Sequence, residues 1–531
     1  MIISFNEKFK LRTVLFLITI CMLMLLCIIR IMSICSNSKT ADNTKNSVVV
    51  ELCESRGEIL DCNGKKLTSC TEKYANIFLP CEQAVIKFAK EANDSEKEPG
   101  LKKLKNNNVA ILVRDYKIDC FGVYCYKIYD RYENLYGLEH LIGYYDSTKH
   151  GIVGLEKSFD SLLYSKNYES VSFTTNARGE FLLGETPEYH KEINSNALYL
   201  TVDRDIQSVC LKAAEDIKKG AVVVVEAENG KIRGIVSKPS YSIKKLDSYI
   251  KRSDSPLINR ALTAFSVGSV YKPLIAAGLL ENGKGGYNCN CAGYSTIDGI
   301  RFNCNNHSGH GSMNLKNAIA RSCNTYFYNA ARQVPPTVFT GLASCFCFGR
   351  SLEPAKGIFS EPGSVPSAKS LNSASAVANY AIGQGNILLS PLVMSNLYCS
   401  IVNEGFYYSP TLVEGVYENN KFQKAEKGAK SAVLSKATAA VLEEYLIYTV
   451  ENGTGKEAMP EKYGAGGKTA TAQTGQLSEN GEKLNTWFCG FFPAEKPKYV
   501  VIVLTEEGIS GSKDSAPIFK KIADGINSLK K

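Results

Sequence analysis

The sequence predicts an α+β protein with one membrane helix at its N-terminus, a β-rich module after it and a large C-terminal domain built on an antiparallel sheet. Three observations indicate this class: an uncharged apolar run opens the chain, short β-rich pieces follow, and paired strand patterns with helical stretches between them begin at residue 197. The 531 residues suggest about three units at roughly 150 residues per domain. The content of 44% apolar and 22% charged residues excludes a disordered, collagen-like or polytopic membrane protein.

The first predicted element is a membrane anchor over residues 13–35. It contains the uncharged run Thr13–Ile29, which with its flanks reaches the roughly 20 residues needed to span a bilayer. Three basic residues precede the run: Lys8, Lys10 and Arg12. The positive-inside rule therefore places residues 1–12 in the cytoplasm and the bulk of a single-pass protein on the far side of the membrane. A cleaved signal peptide is the alternative, but no small-x-small cleavage site follows the run.

Polar joints divide the rest of the chain. Residues 36–48 are polar and aperiodic, which is typical of a linker. Residues 49–196 form an N-terminal module with short strands such as Asn76–Leu79 and an exposed helix and loop over residues 88–108. Residues 197–531 form one large domain. Its predicted elements are strands Leu198–Val202, Ala221–Val225, Ile232–Val236, Thr486–Phe492 and Tyr499–Thr505, an Asn-Gly turn at Glu228–Lys231, and helices Asp203–Lys218 and Ala516–Leu529.

Charge and scarce residue types exclude several function classes. The 62 basic and 53 acidic residues give a net charge of +9, which is too mild over this length to indicate a nucleic-acid partner. The five histidines include no H-x-x-x-H pair, so that zinc-hydrolase motif is absent. Of the 18 cysteines, two close pairs, Cys289/Cys291 and Cys345/Cys347, are C-x-C rather than C-x-x-C. We interpret most of the 18 cysteines as small buried residues. A disulfide between Cys291 and Cys304 is an alternative for that pair.

The segment Phe265–Pro273 is the strongest candidate for chemistry. Proline is tolerated in the first turn of a helix, so Pro273 and the apolar run after it predict a helix that starts at about Gly268–Tyr271. Ser269 then lies at the positive end of the helix dipole, where free backbone N–H groups can bind an oxyanion. Lys272 lies on the same face and can take the serine proton if burial or a second cation lowers its pKa. A serine cap with a chance lysine is the plain alternative.

Two later polar segments strengthen the enzyme interpretation. Ser322–Asn324 (Ser-Cys-Asn) interrupts an apolar helical stretch, and Lys468–Thr471 (Lys-Thr-Ala-Thr) follows a glycine-rich loop. Taken alone, a helix cap explains the first segment and a loop before a strand explains the second. A phosphate loop is excluded at both glycine-rich places. Lys462 stands where the first glycine is required, and Glu457 stands where Ser or Thr is required.

In this order the three segments resemble the Ser-x-x-Lys, Ser-x-Asn and Lys-Thr-Gly motifs of penicillin-binding proteins and serine β-lactamases. Further segments resemble signatures of class B penicillin-binding proteins: Arg56–Gly64, His140–Gly143, Gly154–Asp160, Leu200–Gln207 and Pro256–Ala261. The resemblance covers nearly the whole chain after the anchor. It implies the penicillin-binding transpeptidase fold, in which an antiparallel sheet is flanked by helices beside an all-helical lobe, preceded by a β-rich dimerisation or pedestal domain.

The resemblance also implies a role for each motif residue. By this resemblance Ser269 is the nucleophile that attacks the D-Ala–D-Ala bond, Lys272 is the general base and Ser322 relays a proton. Asn324 would hold the amide of the donor peptide. Lys468 would add positive potential that helps to keep Lys272 deprotonated.

The Lys-Thr-Ala-Thr segment would contact the substrate. The resemblance implies that Thr469 and Lys468 bind its terminal carboxylate, and that the backbone N–H groups of Ser269 and Thr471 form the oxyanion hole. Ala470 departs from the family, which has glycine there. On a strand facing the cleft, its methyl group would crowd substrate or β-lactam, or the strand would shift slightly and activity would persist.

The implied function is a peptidoglycan D,D-transpeptidase that acts on stem peptides and is acylated and inhibited by β-lactams. It would work at the bacterial cytoplasmic membrane beside a separate polytopic glycosyltransferase. We expect no cofactor and no metal, with His307 and His310 in a structural loop near the cleft. The alternatives are a D,D-carboxypeptidase, a β-lactamase, a membrane-bound β-lactam sensor and a catalytically weak scaffold for cell-wall assembly.

Overall fold

The computed structural model describes residues 3–37, 46–192, 194–478 and 481–529. Numbered in chain order, its strands are β1 (Asn46–Glu54), β2 (Glu58–Leu60), β3 (Thr71–Phe78), β4 (Ala110–Arg114), β5 (Val123–Asp130), β6 (Tyr168–Thr175), β7 (Glu188–His190), β8 (Ala197–Leu200), β9 (Gly220–Glu226), β10 (Lys231–Lys238), β11 (Phe265–Ser266), β12 (Cys289–Cys291), β13 (Tyr294–Ile297), β14 (Ile300–Asn303), β15 (Gly311–Met313), β16 (Leu388–Leu389), β17 (Phe406–Tyr408), β18 (Val413–Glu418), β19 (Lys421–Lys424), β20 (Lys430–Ala432), β21 (Gly466–Ser478), β22 (Gly481–Phe492) and β23 (Tyr499–Glu506).

The α-helices of the same ranges are α1 (Ile3–Asn37), α2 (Glu82–Glu91), α3 (Asp94–Lys105), α4 (Glu139–Ile142), α5 (Gly154–Ser158), α6 (Asp160–Leu163), α7 (Arg204–Ala213), α8 (Asp247–Ile250), α9 (Lys272–Glu281), α10 (Leu315–Ala320), α11 (Asn324–Ala330), α12 (Pro336–Cys345), α13 (Ala374–Ala381), α14 (Pro391–Val402), α15 (Lys436–Asn452) and α16 (Ser515–Ser528). Short 3₁₀ helices cover Ile243–Lys245, Gly268–Tyr271, Ala331–Gln333, Ala368–Ser370 and Lys456–Ala458.

The N-terminal helix α1 is apolar over Phe9–Ser33, and among the described residues it is the helix long and apolar enough to cross a membrane. This overlaps the anchor predicted at residues 13–35. Because α1 continues to Asn37, the first residues of the predicted linker are helical. Residues 38–45 of that linker lie outside the described residues, and β1 already begins at Asn46.

The chain divides by its contacts into two compact units. The first contains residues 1–55, 72–128 and 167–193, and the second contains residues 56–71, 129–166 and 194–531. The two units interleave along the sequence, whereas we placed one boundary between residues 196 and 197. The physical reason is that Ile59, Leu141 and Leu155 are buried in the main core of the second unit, where β2 also pairs in parallel with β8. The division into an N-terminal domain of residues 49–196 and a transpeptidase domain of residues 197–531 stays a prediction.

The first unit is β-rich, with the three-stranded sheets β1-β6-β7 and β4-β3-β5. Its residues 88–108 differ from the predicted exposed helix and loop. Phe88 of α2 and Leu104 of α3 are buried in a small core with Phe78. The apolar residues of this charged stretch are few, but they lie on one face of each helix, so both helices pack rather than project into solvent.

The second unit is built on a five-stranded antiparallel sheet in the order β10-β9-β23-β22-β21. Helices cover both of its faces. Val223 and Val225 point into the main core with α9 and α14, while Val222 and Val224 point into a second core with α7 and α16. This explains the continuous apolar run of β9, and it confirms the predicted hairpins and the α+β class.

Helix α7 ends earlier than predicted, at Ala213 rather than Lys218. Asp203 caps its start by accepting hydrogen bonds from the N–H groups of Asp205 and Ile206. Beyond Ala213 the chain turns so that Ile217 still reaches the core before β9 begins. The charged residues of this turn continue the helical pattern in the sequence, so the pattern predicts a longer helix than the structure has.

A buried ion network joins two of the signature segments within the second unit. Arg56 donates hydrogen bonds to Glu156 at 2.6 Å and to Asp160 at 2.7 Å, and Arg131 donates to the other oxygen of Glu156 at 2.6 Å. Glu156 is fully buried. A buried carboxylate that satisfies two guanidinium groups is costly to break, so this network fixes residues 56–64 against residues 154–160.

Candidate active site

Ser269 lies in the 3₁₀ turn Gly268–Tyr271, directly before α9, as Pro273 predicted. Gly268 has a φ of +59°, and a Cβ added to it would lie 3.1 Å from the Cβ of Ala472 on β21. A glycine therefore permits both the left-handed backbone and the close approach of this turn to the edge of the sheet. The Ser269 side chain is partly exposed, and among the described residues it makes no hydrogen bond.

Lys272 is fully buried and connects the first two motifs. Its Nζ lies 2.8 Å from the backbone oxygen of Ser322, 3.1 Å from Ser322 Oγ and 2.6 Å from Asn324 Oδ1. The same Nζ lies 5.3 Å from the centre of the Phe327 ring. The lysine is thus held by three oxygen atoms of the Ser-Cys-Asn segment and has no carboxylate partner among the described residues.

Burial dominates the electrostatics of both active-site lysines. It lowers the pKa of Lys272 to about 7, against a smaller opposing effect of Cys323 and Cys304. It also places the pKa of Lys468 well below its ordinary value, and the charge of Lys272 lowers that pKa further. We expected the charge of Lys468 to keep Lys272 neutral. The main cause of the low pKa of Lys272 is instead its loss of solvent. The repulsion between the two amines lowers the pKa of Lys468.

The Ser-Cys-Asn segment forms a tight turn between α10 and α11. Ser322 has a φ of +53°, a left-handed conformation that is uncommon outside glycine. Cys323 caps α11, since its Sγ accepts a hydrogen bond from the N–H of Tyr326 at 3.4 Å, and its own N–H donates to the oxygen of Ala318 at 2.9 Å. This turn directs the side chains of Ser322 and Asn324 to the same amine. The segment therefore does contain a helix cap, but the side chain that caps α11 is Cys323 and not Ser322 or Asn324.

The Lys-Thr-Ala-Thr segment lies on β21, where side chains alternate between core and surface. Lys468 and Ala470 point inward, and Thr471 is exposed. Ala470 is 3% exposed and belongs to the main core, and a Cβ added to Gly268 would lie 3.6 Å from its methyl group. The methyl group packs against the serine turn, where the missing side chain of Gly268 leaves room for it. Its effect on bound substrate or β-lactam stays a prediction.

Two residues that the sequence reasoning missed support β21. Thr469 Oγ1 donates to Thr454 Oγ1 at 2.9 Å, and the N–H of Thr454 donates to the oxygen of Ala320 at 2.9 Å. Thr454 thus links the strand to the end of α10. The N–H of Gly511 donates to Thr471 Oγ1 at 3.2 Å, and a Cβ there would lie 2.4 Å from the oxygen of Ala470. The glycine-rich segment around Thr454 was visible in the sequence as a failed phosphate loop.

All three motifs therefore meet at one place. The structure joins Lys272 directly to Ser322 and Asn324, packs the Ser269 turn against β21, and places Lys468 close enough to Lys272 for their charges to interact. A partly exposed hydroxyl at a helix start, one turn from a buried amine with a pKa near neutrality, is suited to nucleophilic attack on a carbonyl group.

Comparisons with known proteins identify the family of the chain. The model of the penicillin-binding protein transpeptidase domain matches residues 220–524, more than half of the chain. Stage V sporulation protein D of Bacillus subtilis is 26% identical over 492 residues, which are 85% of this chain and 74% of that protein. Peptidoglycan D,D-transpeptidase MrdA of Acinetobacter baumannii is 27% identical over 408 residues, which are 70% of this chain and 60% of that protein.

Solved structures show the same fold. The D,D-transpeptidase domain of a peptidoglycan glycosyltransferase from Eggerthella lenta has a TM-score of 0.66 at 22% identity, and the likeness covers 90% of this chain and 98% of that chain. Penicillin-binding protein 3 of Mycobacterium tuberculosis, complexed with aztreonam, has a TM-score of 0.65 at 20% identity, over 91% and 97% of the two chains. Taken with the family match, these relatives show that the chain belongs to the penicillin-binding protein transpeptidase family, as a class B penicillin-binding protein.

Proposed function

We propose that the protein is a serine D,D-transpeptidase that cross-links peptidoglycan stem peptides through an acyl-enzyme on Ser269, and that β-lactams acylate the same residue. The observation that carries this proposal is the buried Lys272, one turn from Ser269, whose Nζ contacts both Ser322 and Asn324. A chance Ser-x-x-Lys pair would have no reason to bury its amine against a second polar motif.

The proton path follows from the contacts of Lys272. A neutral amine has two N–H donors and one lone pair. Its donors satisfy the backbone oxygen of Ser322 and the Asn324 side chain, which leaves the lone pair for a proton. Ser269 loses its proton to Lys272 as its oxygen attacks the carbonyl carbon of the penultimate D-alanine. The C–N bond then breaks, and the terminal D-alanine leaves with a proton that returns through Ser322 Oγ.

The second half of the reaction restores the enzyme. An amine of a neighbouring stem peptide attacks the Ser269 ester, forms the cross-link and releases the serine oxygen, which regains its proton. The backbone N–H groups of Ser269 and Thr471 would bind the negative oxygen in both steps. Lys468 and Thr469 would bind the terminal carboxylate of the donor peptide, since an amine and a neighbouring hydroxyl group can both donate hydrogen bonds to this anion.

Labelling with a fluorescent penicillin tests the nucleophile. Ser269→Ala should abolish covalent labelling of the purified protein. The matched control is Ser266→Ala, because Ser266 contacts Trp487 through its backbone oxygen at 2.8 Å and not through its hydroxyl. Mass mapping of the labelled wild-type peptide should place the adduct on Ser269. Labelling that survives in Ser269→Ala, or an adduct on another residue, would contradict the assignment.

The competing function is hydrolysis of the same acyl-enzyme, as in a D,D-carboxypeptidase or a β-lactamase. The fate of the acyl group separates these enzymes. With a pentapeptide donor and an added amine acceptor, a transpeptidase should give a new amide product whose share grows with acceptor concentration. A product that is only the shortened tetrapeptide at every acceptor concentration would favour the carboxypeptidase.

We also propose that α1 anchors the protein with its N-terminus in the cytoplasm and its catalytic unit outside. The support is the position of Lys8, Lys10 and Arg12 before the apolar span. In intact protoplasts, added protease should digest a C-terminal tag and spare an N-terminal one, and the reverse result would refute this orientation. By analogy with class B proteins, a separate polytopic glycosyltransferase is the proposed partner, which co-purification in mild detergent tests.

A further inference from the structure

A cluster of three thiols and one imidazole lies directly behind the Ser-Cys-Asn segment. Its members are Cys291, Cys304, His310 and Cys323, and their ligand atoms all lie within 4.8 Å of one another. His310 Nδ1 is 3.6 Å from the sulfur of Cys291 and 3.5 Å from that of Cys304, and the sulfurs of Cys304 and Cys323 are 3.9 Å apart. The three cysteines are at most 2% exposed.

We propose that these four residues bind one Zn²⁺ ion. A tetrahedral site with Zn–S of about 2.3 Å and Zn–N of about 2.0–2.1 Å has S···N edges of about 3.6 Å and S···S edges of about 3.8 Å. The three distances given above agree with these edges to within about 0.1 Å. Three sulfurs and one imidazole nitrogen are donors that select zinc over magnesium or calcium, which prefer oxygen.

The backbone assembles this cluster from three separate stretches of chain. Strand β12 pairs with β15, which brings Cys291 opposite Gly311 and lets the N–H of His310 donate to the oxygen of Cys291 at 3.0 Å. Cys323 comes from the turn before α11. The four side-chain atoms come from β12, the segment between β14 and β15 and this turn, and they lie within 4.8 Å of one another.

A disulfide is the competing explanation for the thiols. It requires an S–S distance of about 2.05 Å, far below the 3.9 Å between Cys304 and Cys323. Every cysteine whose side chain the structure describes is free, including Cys291, so the Cys291–Cys304 disulfide considered from the sequence is not formed. The expectation of a metal-free loop also changes, since His310 joins the cluster while His307 is exposed.

The site would act on the reaction through Cys323. This residue separates Ser322 from Asn324, the two side chains that contact Lys272, and Ser322 holds a left-handed backbone. A metal–sulfur bond would fix this turn and with it the acceptors around the lysine. This positioning role rests on the proposed transpeptidase function, whereas metal binding itself does not.

Metal analysis of the full-length protein in detergent tests the binding. After expression with zinc in the medium, we expect about one Zn²⁺ per chain. Cys304→Ser and His310→Ala should each lose most of it, whereas the matched controls Cys289→Ser and His307→Ala should keep it. Replacement by Co²⁺ should give the strong visible absorption of a tetrahedral thiolate site. Wild-type protein without zinc that also gives no such absorption with Co²⁺, or a disulfide within the cluster found by mass mapping, would overturn the site even if the variants fail to fold.

Penicillin labelling tests the positioning role separately. Removal of zinc by a chelator should slow labelling of the folded wild-type protein at least tenfold, and added Zn²⁺ should restore the rate. An unchanged rate in protein that has lost its zinc and kept its circular dichroism would refute the positioning role. Zinc-loaded protein that never reacts with penicillin would instead refute the proposed function and leave the metal site standing.

Discussion

Acylation of Ser269 should depend on pH through Lys272. The general base must be neutral to take the serine proton, so the acylation rate follows the neutral fraction of this lysine. Burial lowers its pKa from the ordinary value of 10.5 to about 7. Lowering the pH below 7 protonates the amine and removes its lone pair, so the rate should fall about tenfold for each further pH unit. Above about pH 8 it should be constant.

The size of the effect follows from the two pKa values. At pH 8 a lysine with a pKa of about 7 is about 90% neutral, whereas one with the ordinary value is about 0.3% neutral. Burial therefore raises the reactive fraction about 300-fold at this pH. The same shift means that the free energy of the ionised amine, relative to the neutral amine, is about 5 kcal/mol less favourable than in an exposed lysine. The contacts to Ser322 and Asn324 do not offset this cost.

The assay is the second-order rate constant of labelling by a fluorescent penicillin between pH 5.5 and 9.5. Circular dichroism at each pH separates loss of folding from loss of reactivity. A midpoint near pH 7 is expected. A rate that keeps rising towards pH 10 would show that Lys272 titrates like an exposed lysine, and a rate independent of pH would show that it is not the base.

Three substitutions test other parts of the structure. Ala470→Gly should cost about 0.5–1 kcal/mol of unfolding free energy and leave the labelling rate within about twofold, because the methyl is buried against the serine turn; a large gain in rate would contradict this. Glu156→Gln removes the carboxylate shared by Arg56 and Arg131, so that Arg56 keeps only Asp160, and should lower the unfolding free energy by about 3 kcal/mol in denaturant titrations. Glu444→Gln, in a pair with a mostly exposed carboxylate, should change it by less than about 1 kcal/mol; equal effects would contradict the role of the network. Thr454→Val removes the acceptor for the Thr469 hydroxyl and should slow labelling about fivefold, as expected for the loss of one hydrogen bond. Thr474→Val, at the far end of β21, should leave the labelling rate unchanged. A larger loss of rate in Thr474→Val than in Thr454→Val would refute the role of Thr454 in supporting the strand.

The sequence predicted those features that depend on local pattern. Pro273 placed the start of α9, and the continuous valines of β9 indicated a strand buried on both faces. The direction of Ala470 could not be predicted, because a period of two fixes which residues share a face but not which face is the core. Thr454 acts through a contact 15 positions away, which no local pattern indicates.

The cluster of Cys291, Cys304, His310 and Cys323 could not be predicted from local pattern either. Its members are spread from Cys291 to Cys323 without a familiar metal spacing, and pairing of β12 with β15 is what brings the first and third ligands together. From the sequence, each cysteine is therefore interpreted as a packing residue and each of the two histidines as a loop residue. Only the folded backbone brings these four positions within 4.8 Å of one another.

Strand β21 is the last strand of the five-stranded sheet, and among the described residues no strand pairs with its outer edge. The Ser269 turn lies against this strand, since a Cβ added to Gly268 would contact Ala470 and Ala472. An extended peptide could add there as a further strand and gain hydrogen bonds that are independent of its side chains. Recognition by such main-chain pairing would tolerate varied residues in the bound peptide while aligning one of its carbonyl carbons with the serine oxygen, so the edge that most proteins must protect against aggregation would here be the docking surface.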